Sequence, residues 1–164
     1  MKGRSRSSSI QKKPSDPPAL KIRKARKKDA ARLAELSRQL GYPATANEIL
    51  QRMKRMRPAE LHAVFVAEGL AEGDGKIAGW LHVSVTPLLE VPLRAEVNGL
   101  VVDEMQRSAG AGAKLLDAAE RWAAAKGCKS MSVRSNVIRD RAHGFYERNG
   151  YEHYKTQKAF RKPF

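Results

Sequence analysis

Residues 100–116 read LVVDEMQRSAGAGAKLL, a valine-rich run followed by a loop of small residues and an apolar helical pattern. A loop that binds phosphate needs several backbone N–H groups directed into one cavity, and it gains from a helix N-terminus, whose partial positive charge favours an anion. Small residues from Ser108 to Gly112 leave that space open, and Arg107 adds a fixed cation. The spacing is neither the dinucleotide fingerprint, since Leu115 replaces its third glycine, nor a Walker loop. The stretch predicts an anion-binding turn, with a tight packing turn as the alternative.

The remaining chain alternates between strand and helix periodicities, which predicts one α/β domain with a mixed sheet and helices on both faces. Asp29 is expected to cap the first helix, and the Asp-Gly pair within residues 72–75 favours a hairpin turn. The predicted order is β-α-α-β-β-β-α-β-α-β. Strands are expected at 20–25, 63–68, 76–85, 95–102, 130–134 and 154–161, and helices at 30–40, 47–56, 112–126 and 139–148.

Composition limits the possible classes of protein. The 164 residues suffice for one domain, and 41% of them are hydrophobic. A single cysteine, Cys128, excludes a disulfide framework, and neither a membrane-spanning run nor a secretory signal is recognisable, so we expect a cytoplasmic protein. No His, Cys, Asp or Glu cluster has the spacing of metal ligands, so no metal is expected.

Much of the net charge of +15 lies at one end of the chain. Residues 1–28 hold eleven of the 32 Lys and Arg residues and a single acid, Asp16. Residues 1–19 are rich in Ser, Lys, Arg and Pro, which predicts a disordered basic tail ahead of a domain at 20–164. The tail is either a solvated extension or a contact for a polyanion.

Two segments carry a family resemblance. Residues 100–116 are similar to the central motif of the GNAT superfamily of N-acetyltransferases, in which a Gln/Arg-x-x-Gly-x-Gly/Ala loop follows a valine-rich strand. Residues 135–151, SNVIRDRAHGFYERNGY, resemble its second motif, and the likeness extends over about residues 20–164. Ser108 departs from the pattern, where glycine is commoner. Residues 79–83 and 139–151 most resemble bacterial small-molecule members, including the aminoglycoside N-acetyltransferase group.

The resemblance implies acetyl-CoA as cofactor and a GNAT-like sheet that is splayed at the cofactor site. The pantetheine arm would lie between the strand ending at Val102 and the strand at 130–134, paired as an added strand would be. The pyrophosphate would bind backbone N–H groups from Arg107 to Gly112, and an N–H near Val101 would polarise the thioester. The cofactor-binding residues implied are Leu100, Val101, Val102, Arg107, Ser108, Ala109, Gly110, Ala111, Gly112, Ala113, Asn136, Ala142 and Phe145.

The same resemblance assigns roles in a direct transfer within a ternary complex. Tyr146 would be the general acid for the departing thiolate, and Glu96 the general base, acting through water. A core role for Tyr146 and a solvated rim position for Glu96 are the alternatives. Trp80, His82, Glu90 and Tyr42 are the candidates for the acceptor pocket, and Glu90 and Glu96 would make the cleft acidic if the acceptor is cationic.

Three functions remain open at this point. The first is acetylation of a primary amine on a small molecule. The second is acetylation of a protein, at a lysine or an N-terminus. The third belongs to another class, a basic module that binds nucleic acid without catalysis, although base-reading motifs and stacking aromatic patterns are absent. A C-terminal strand ending at Phe164 would also allow pairing across a homodimer.

Overall fold

A computed structural model describes residues 19–69, 76–107 and 110–164. Four helices and five strands form in the order β1-α1-α2-β2-β3-β4-α3-β5-α4. The strands are β1 (Leu20–Lys24), β2 (His62–Gly69), β3 (Ile77–Thr86), β4 (Arg94–Val102) and β5 (Ser130–Val133). The helices are α1 (Ala30–Leu40), α2 (Ala46–Arg55), α3 (Ala111–Ala125) and α4 (Asp140–Arg148). These bounds confirm nine of the ten predicted elements to within one or two residues.

The five strands make one sheet in chain order, with β1 to β4 antiparallel and β5 parallel to β4. Each face of the sheet is covered by helix. Helix α3 packs Leu115 and Leu116 on one face, against Leu81 and Val83. On the other face, α1 packs Leu33 and Leu36 against Val66 and Val101, with α2 beside them. The prediction of a mixed sheet with helices on both faces is therefore confirmed.

Strand β5 pairs with only the first part of β4. The parallel register runs from Arg94 opposite Ser130 to Val97 opposite Val133, after which β4 continues alone to Val102. A bulge places Asn98 in β4 just past this last pair, where the β3 register shifts after His82. In the described part of the chain, the outer edge of β4 beyond Val97 has no strand partner.

The predicted strand at 154–161 is wrong. Residues 151–164 have no regular secondary structure, and every residue from Glu152 onward is exposed. Three of the eight predicted residues are Lys or Arg, and Phe160 is the one large apolar side chain among them besides Tyr154. The segment therefore has no continuous apolar face to bury against the sheet, which a strand requires.

The predicted capping role of Asp29 is also wrong. Asp29 precedes α1, but its carboxylate makes no capping bond to that helix. It instead accepts the Arg26 N–H at 2.6 Å and pairs with the buried Arg23 guanidinium at 2.7 Å. Arg23 also binds Glu68 of β2, so the carboxylate of Asp29 holds the arginine that links β1 to β2. The basic tail to residue 18 and the hairpin at 72–75 lie outside the described residues.

Candidate active site

Asp103, directly after β4, fixes the chain that leads into the small-residue loop. Its backbone N–H donates to the Ala78 carbonyl at 2.7 Å, and its carboxylate accepts the Met105 N–H at 3.1 Å. The same carboxylate pairs with the Arg32 guanidinium of α1. Gln39 of α1 adds a further bond, because its Oε1 accepts the Glu104 N–H at 3.0 Å. Helix α1 therefore holds the start of the loop through two side chains.

The charge state of Asp103 follows from these contacts. Burial alone would raise the pKa of its carboxyl group, since charge is costly away from water. The Met105 N–H and the Arg32 guanidinium together outweigh burial and hold that pKa below its usual range. Asp103 is therefore ionised at neutral pH, and its pair with Arg32 is a charged one.

The loop ends at Gly110, which precedes the first turn of α3. Gly110 has φ of +76°, a left-handed conformation that favours glycine, and at this N-cap position it has no side chain that could cap the helix. No acidic residue lies in the first turn, so the N–H groups of Ala111, Gly112 and Ala113 are not neutralised by a carboxylate of that turn. This helix N-terminus can accept an anionic ligand.

Helix α4 is fitted closely against that turn. A Cβ atom on Gly112 would lie 3.0 Å from the Phe145 ring, so glycine at this position lets α4 approach α3. Gly112 is buried, whereas Ala113 is exposed. Of the other predicted cofactor-binding residues, Arg107 is exposed and pairs with Glu104, while Ser108 and Ala109 lie outside the described residues.

The free edge of β4 and the N-terminus of α3 together fit an extended ligand with an anionic end. Leu100, Val101 and Val102 pair with β3 on one side only, so the outer edge of this segment can pair with a ligand's amides. β5 ends at Val133, so the edge of β4 is open in the region where a splay was predicted.

Tyr146 lies in an aromatic cluster on α4. Its ring is 5.3 Å from Phe145 and 5.7 Å from Tyr151 between centroids, both in edge-on arrangements. Burial raises the pKa of the Tyr146 phenol, and the nearby Arg139 guanidinium opposes that rise only in part. The phenol is therefore protonated at neutral pH, as a general acid must be.

Arg139 connects α4 to the opposite wall of the site. Its guanidinium donates to the Leu40 carbonyl at the end of α1 at 3.2 Å. Asn136, predicted to orient the cofactor, is exposed and accepts the Ile138 N–H at 3.2 Å through its side chain. Ala142 is half-buried on α4.

A cavity of about 270 Å³ lies between the sheet and helices α1 and α2. Three of the four predicted acceptor-pocket residues line it, namely Tyr42, Trp80 and His82. The fourth, Glu90, is exposed in the turn between β3 and β4 and does not line the cavity. Helices α1 and α2 contribute four apolar side chains at helical spacing to the wall, Leu33, Leu40, Ile49 and Met53.

Polar groups gather where this cavity meets the end of β3. His82 Nε2 lies 3.3 Å from His62 Nδ1, and the Asn98 amide donates to Ser84 Oγ at 2.7 Å. Burial, with a smaller contribution from His62, lowers the pKa of His82 to about 4. Glu96 lies opposite Ser84 and forms an ion pair of 2.5 Å with the exposed Arg134.

We expect the neutral state of His82 to make stability pH-dependent. Because its folded pKa of about 4 is below the usual value near 6.5, the unfolded chain binds more protons between these limits. The contribution of neutral His82 to the free energy of unfolding is complete above about pH 6.5. It is lost as the pH falls towards 4, by up to roughly 1.4 kcal/mol per pH unit. Urea unfolding of wild type and His82→Gln at pH 7, 6 and 5 measures it. Parallel pH curves for the two proteins would contradict this assignment.

The structure adds functional residues that the sequence did not indicate. Asp103 and Arg32 are far apart in the chain, and no spacing rule joins them. His62 was one of four scattered histidines, and its position opposite Ser84 depends on the register of β2 and β3. The α2 residues at helical spacing, Ile49 and Met53, were recognisable as an apolar face but not as the wall of a cavity.

Comparison with known proteins agrees with this geometry. Residues 29–151 match the Acetyltransferase (GNAT) family. An uncharacterized N-acetyltransferase of Bacillus subtilis (strain 168), YhfO, is 30% identical over 134 residues, which cover 81% of this chain and 90% of that protein. The fold and the site define an acetyl-transferring enzyme. The chain belongs to the GNAT family of acetyltransferases.

Solved structures of similar fold include two with named activities. Glucosamine-6-phosphate N-acetyltransferase from Arabidopsis thaliana has a TM-score of 0.74 at 24% identity, covering 87% of this chain and 98% of its own. The aminoglycoside N-acetyltransferase AAC(6')-Iy, solved in complex with CoA, has a TM-score of 0.77 at 21% identity, covering 88% and 95%. At these identities the likeness shows the fold alone. In the described ranges no helix is long and apolar enough to cross a membrane.

Proposed function

We propose that the protein transfers the acetyl group of acetyl-CoA directly to the primary amine of a small molecule, with both bound at once. The observation that carries the proposal is the open outer edge of β4 beyond Val97, together with an N-terminus of α3 that has no acidic residue in its first turn. The neighbouring cavity, of about 270 Å³, has a volume that favours a small acceptor over a protein one.

The residues at the free edge of β4 and at the loop before α3 would bind CoA through the amides of its pantetheine arm and through its phosphates. Leu100, Val101 and Val102 would pair with the pantetheine arm, and an N–H near Val101 would polarise the thioester carbonyl. Backbone N–H groups from Arg107 to Gly112 would bind the pyrophosphate. When bound, acetyl-CoA supplies the acetyl group as a thioester, which a neutral amine can attack. The other residues predicted to contact it are Ser108, Ala109, Gly110, Ala111, Ala113, Asn136, Ala142 and Phe145.

Two side chains would move the protons. Glu96, which lies two residues before Asn98 in β4 and outside the cavity wall, would take a proton from the amine through a water molecule. The Tyr146 hydroxyl would donate its proton to the departing sulfur, since its raised pKa keeps it protonated. Trp80, His82 and Tyr42 would contact the acceptor, as the cavity that they line supports.

Replacing Gly110 with Glu tests the cofactor side. We expect acetyl-CoA to bind at least about tenfold more weakly, because the new side chain brings negative charge and bulk to the anion site. Isothermal calorimetry with acetyl-CoA, desulfo-CoA and CoA measures the affinity of each protein.

Gly127→Glu is the matched control for that substitution. Gly127 also has a left-handed φ, of +82°, and at both glycines an added Cβ meets nothing within 4 Å. It lies at the other end of α3, so the two variants share the charge change and the backbone strain but not the location. Equal affinity for acetyl-CoA in both variants, or no binding by a folded wild type, would refute the proposed site.

A further inference from the structure

We propose that the acceptor is a primary amine on an apolar aromatic or branched aliphatic body, without a second cationic group. This inference rests on the proposed function and names the substrate class of the same site. It is carried by the composition of the cavity wall and by the position of the cavity's polar end.

The wall of the cavity is apolar where the body of an acceptor would lie. Ile49 and Met53 of α2 face Trp80 of β3 across it, and Tyr42 stands at the end of α1. The Trp80 ring lies close to Gly99, where an added Cβ would be only 2.9 Å from it. Such a surface binds an apolar group through its removal from water.

The charge of the cavity excludes a polycation. Arg52 is the one charged residue among those that line it, and no carboxylate does so in the described part of the chain. Glu96 is paired with Arg134 at 2.5 Å, and Glu90 is exposed elsewhere. A second ammonium group would therefore enter an apolar space near a guanidinium, where desolvation and repulsion both oppose it. This corrects the expectation of an acidic cleft.

The polar end of the cavity places the reacting nitrogen. His82 is neutral, so it does not repel an amine, and Asn98 keeps its Oδ1 as an acceptor because its amide nitrogen donates to Ser84. Asn98 also lies at the point where β4 leaves β5. The amine end would therefore meet the free β4 edge on which the thioester is proposed to lie, with the apolar body pointing back towards α2.

Initial rates with three amines test the acceptor class on the full-length protein with acetyl-CoA, by release of free thiol. We expect kcat/KM for 2-phenylethylamine to be at least tenfold higher than for ethanolamine, which carries the same charge without the apolar body. We also expect it to be at least tenfold higher than for neamine, which carries several amines. Higher or equal kcat/KM for neamine would overturn the acceptor class and leave the acetyltransferase activity standing.

A carboxylate placed in the wall should change that preference. In Met53→Glu we expect the kcat/KM ratio of 2-phenylethylamine to neamine to fall at least tenfold. Gln51→Glu adds a carboxylate on the exposed side of the same helix, outside the cavity, and should keep the ratio within about twofold. Thermal melts of both variants check that they are folded. An unchanged ratio in a folded Met53→Glu would overturn the placement of the acceptor in this cavity.

Calorimetry separates this inference from the proposed function. A wild type that binds acetyl-CoA but acetylates 2-phenylethylamine no faster than ethanolamine overturns the acceptor class alone. A folded wild type that does not bind acetyl-CoA overturns the proposed function, and the acceptor class with it.

Discussion

Replacing Tyr146 with Phe is expected to lower kcat by about 10²- to 10⁴-fold, the usual contribution of a positioned general acid. The substitution removes one hydroxyl and keeps the ring that packs on Phe145 and Tyr151. Because burial already holds the phenol in its protonated form, the lost group is the proton donor itself. Acetyl-CoA affinity and thermal stability should change little. Steady-state kinetics and calorimetry of the same preparation measure both.

Tyr151→Phe is the matched control. Tyr151 belongs to the same aromatic cluster, but its hydroxyl donates to the Glu120 carboxylate at 3.0 Å on the surface of α3. Its removal should leave kcat within about twofold of wild type. If both variants lost activity equally, the effect would lie in packing of the cluster, and the acid role of Tyr146 would be refuted.

Steady-state kinetics also distinguish the proposed role of Glu96 as base from that of Tyr146 as acid. Glu96→Gln should lower kcat/KM most for amines that are protonated at the assay pH, because a neutral amide cannot take their proton. Raising the pH towards the pKa of the amine should restore part of the rate in this variant and none in Tyr146→Phe. A Glu96→Gln variant as active as wild type at neutral pH would remove Glu96 from the mechanism.

Local patterns predicted most of the fold because each element carries its own signal. The leucines of α1 recur at helical spacing and Gly41 ends the helix in a left-handed conformation, so neighbours along the chain determine both the helix and its end. The segment at 154–161 lacked that support, since weak alternation among charged residues does not supply a partner strand. Whether such a segment pairs depends on distant residues, which local periodicity does not report.

The sequence indicated the motif residues of the candidate site but did not indicate which residues form the acceptor cavity. The loop before α3 and the aromatic pair on α4 occur as short contiguous motifs, so sequence alone indicated them. The acceptor side depends on which side chains meet across α1, α2 and β3. An acidic cleft was expected from Glu90 and Glu96 by proximity in the chain, yet one is exposed and the other is paired with Arg134. The charge of a cavity depends on which side chains line it in the folded protein, and position in the sequence does not determine that.

Removing the charge of Asp103, which pairs with Arg32, should have a large effect on stability. We expect Asp103→Asn to lower the free energy of unfolding by about 3 kcal/mol, because it leaves the Arg32 guanidinium, only 15% exposed, without its buried partner. Glu35, which also pairs with Arg32 at 2.7 Å, limits the loss. The pKa of Asp103 is lower in the folded protein than in the unfolded chain, where it is near 4. The contribution of the ionised Asp103 to the free energy of unfolding is therefore complete above about pH 4 and is lost as the pH falls further.

Asp117→Asn makes the same substitution in an exposed pair with Arg121, and its cost should stay within about 0.5 kcal/mol. Urea unfolding at pH 7 compares the two variants, and adding Arg32→Gln to Asp103→Asn should restore part of the stability, since no buried charge is then left alone.

The functional consequence follows from the same contacts. Asp103 also holds the chain entering the cofactor loop, so acetyl-CoA should bind more weakly to a folded Asp103→Asn than to Asp117→Asn. Equal affinity in the two variants would show that the loop keeps its shape without this anchor.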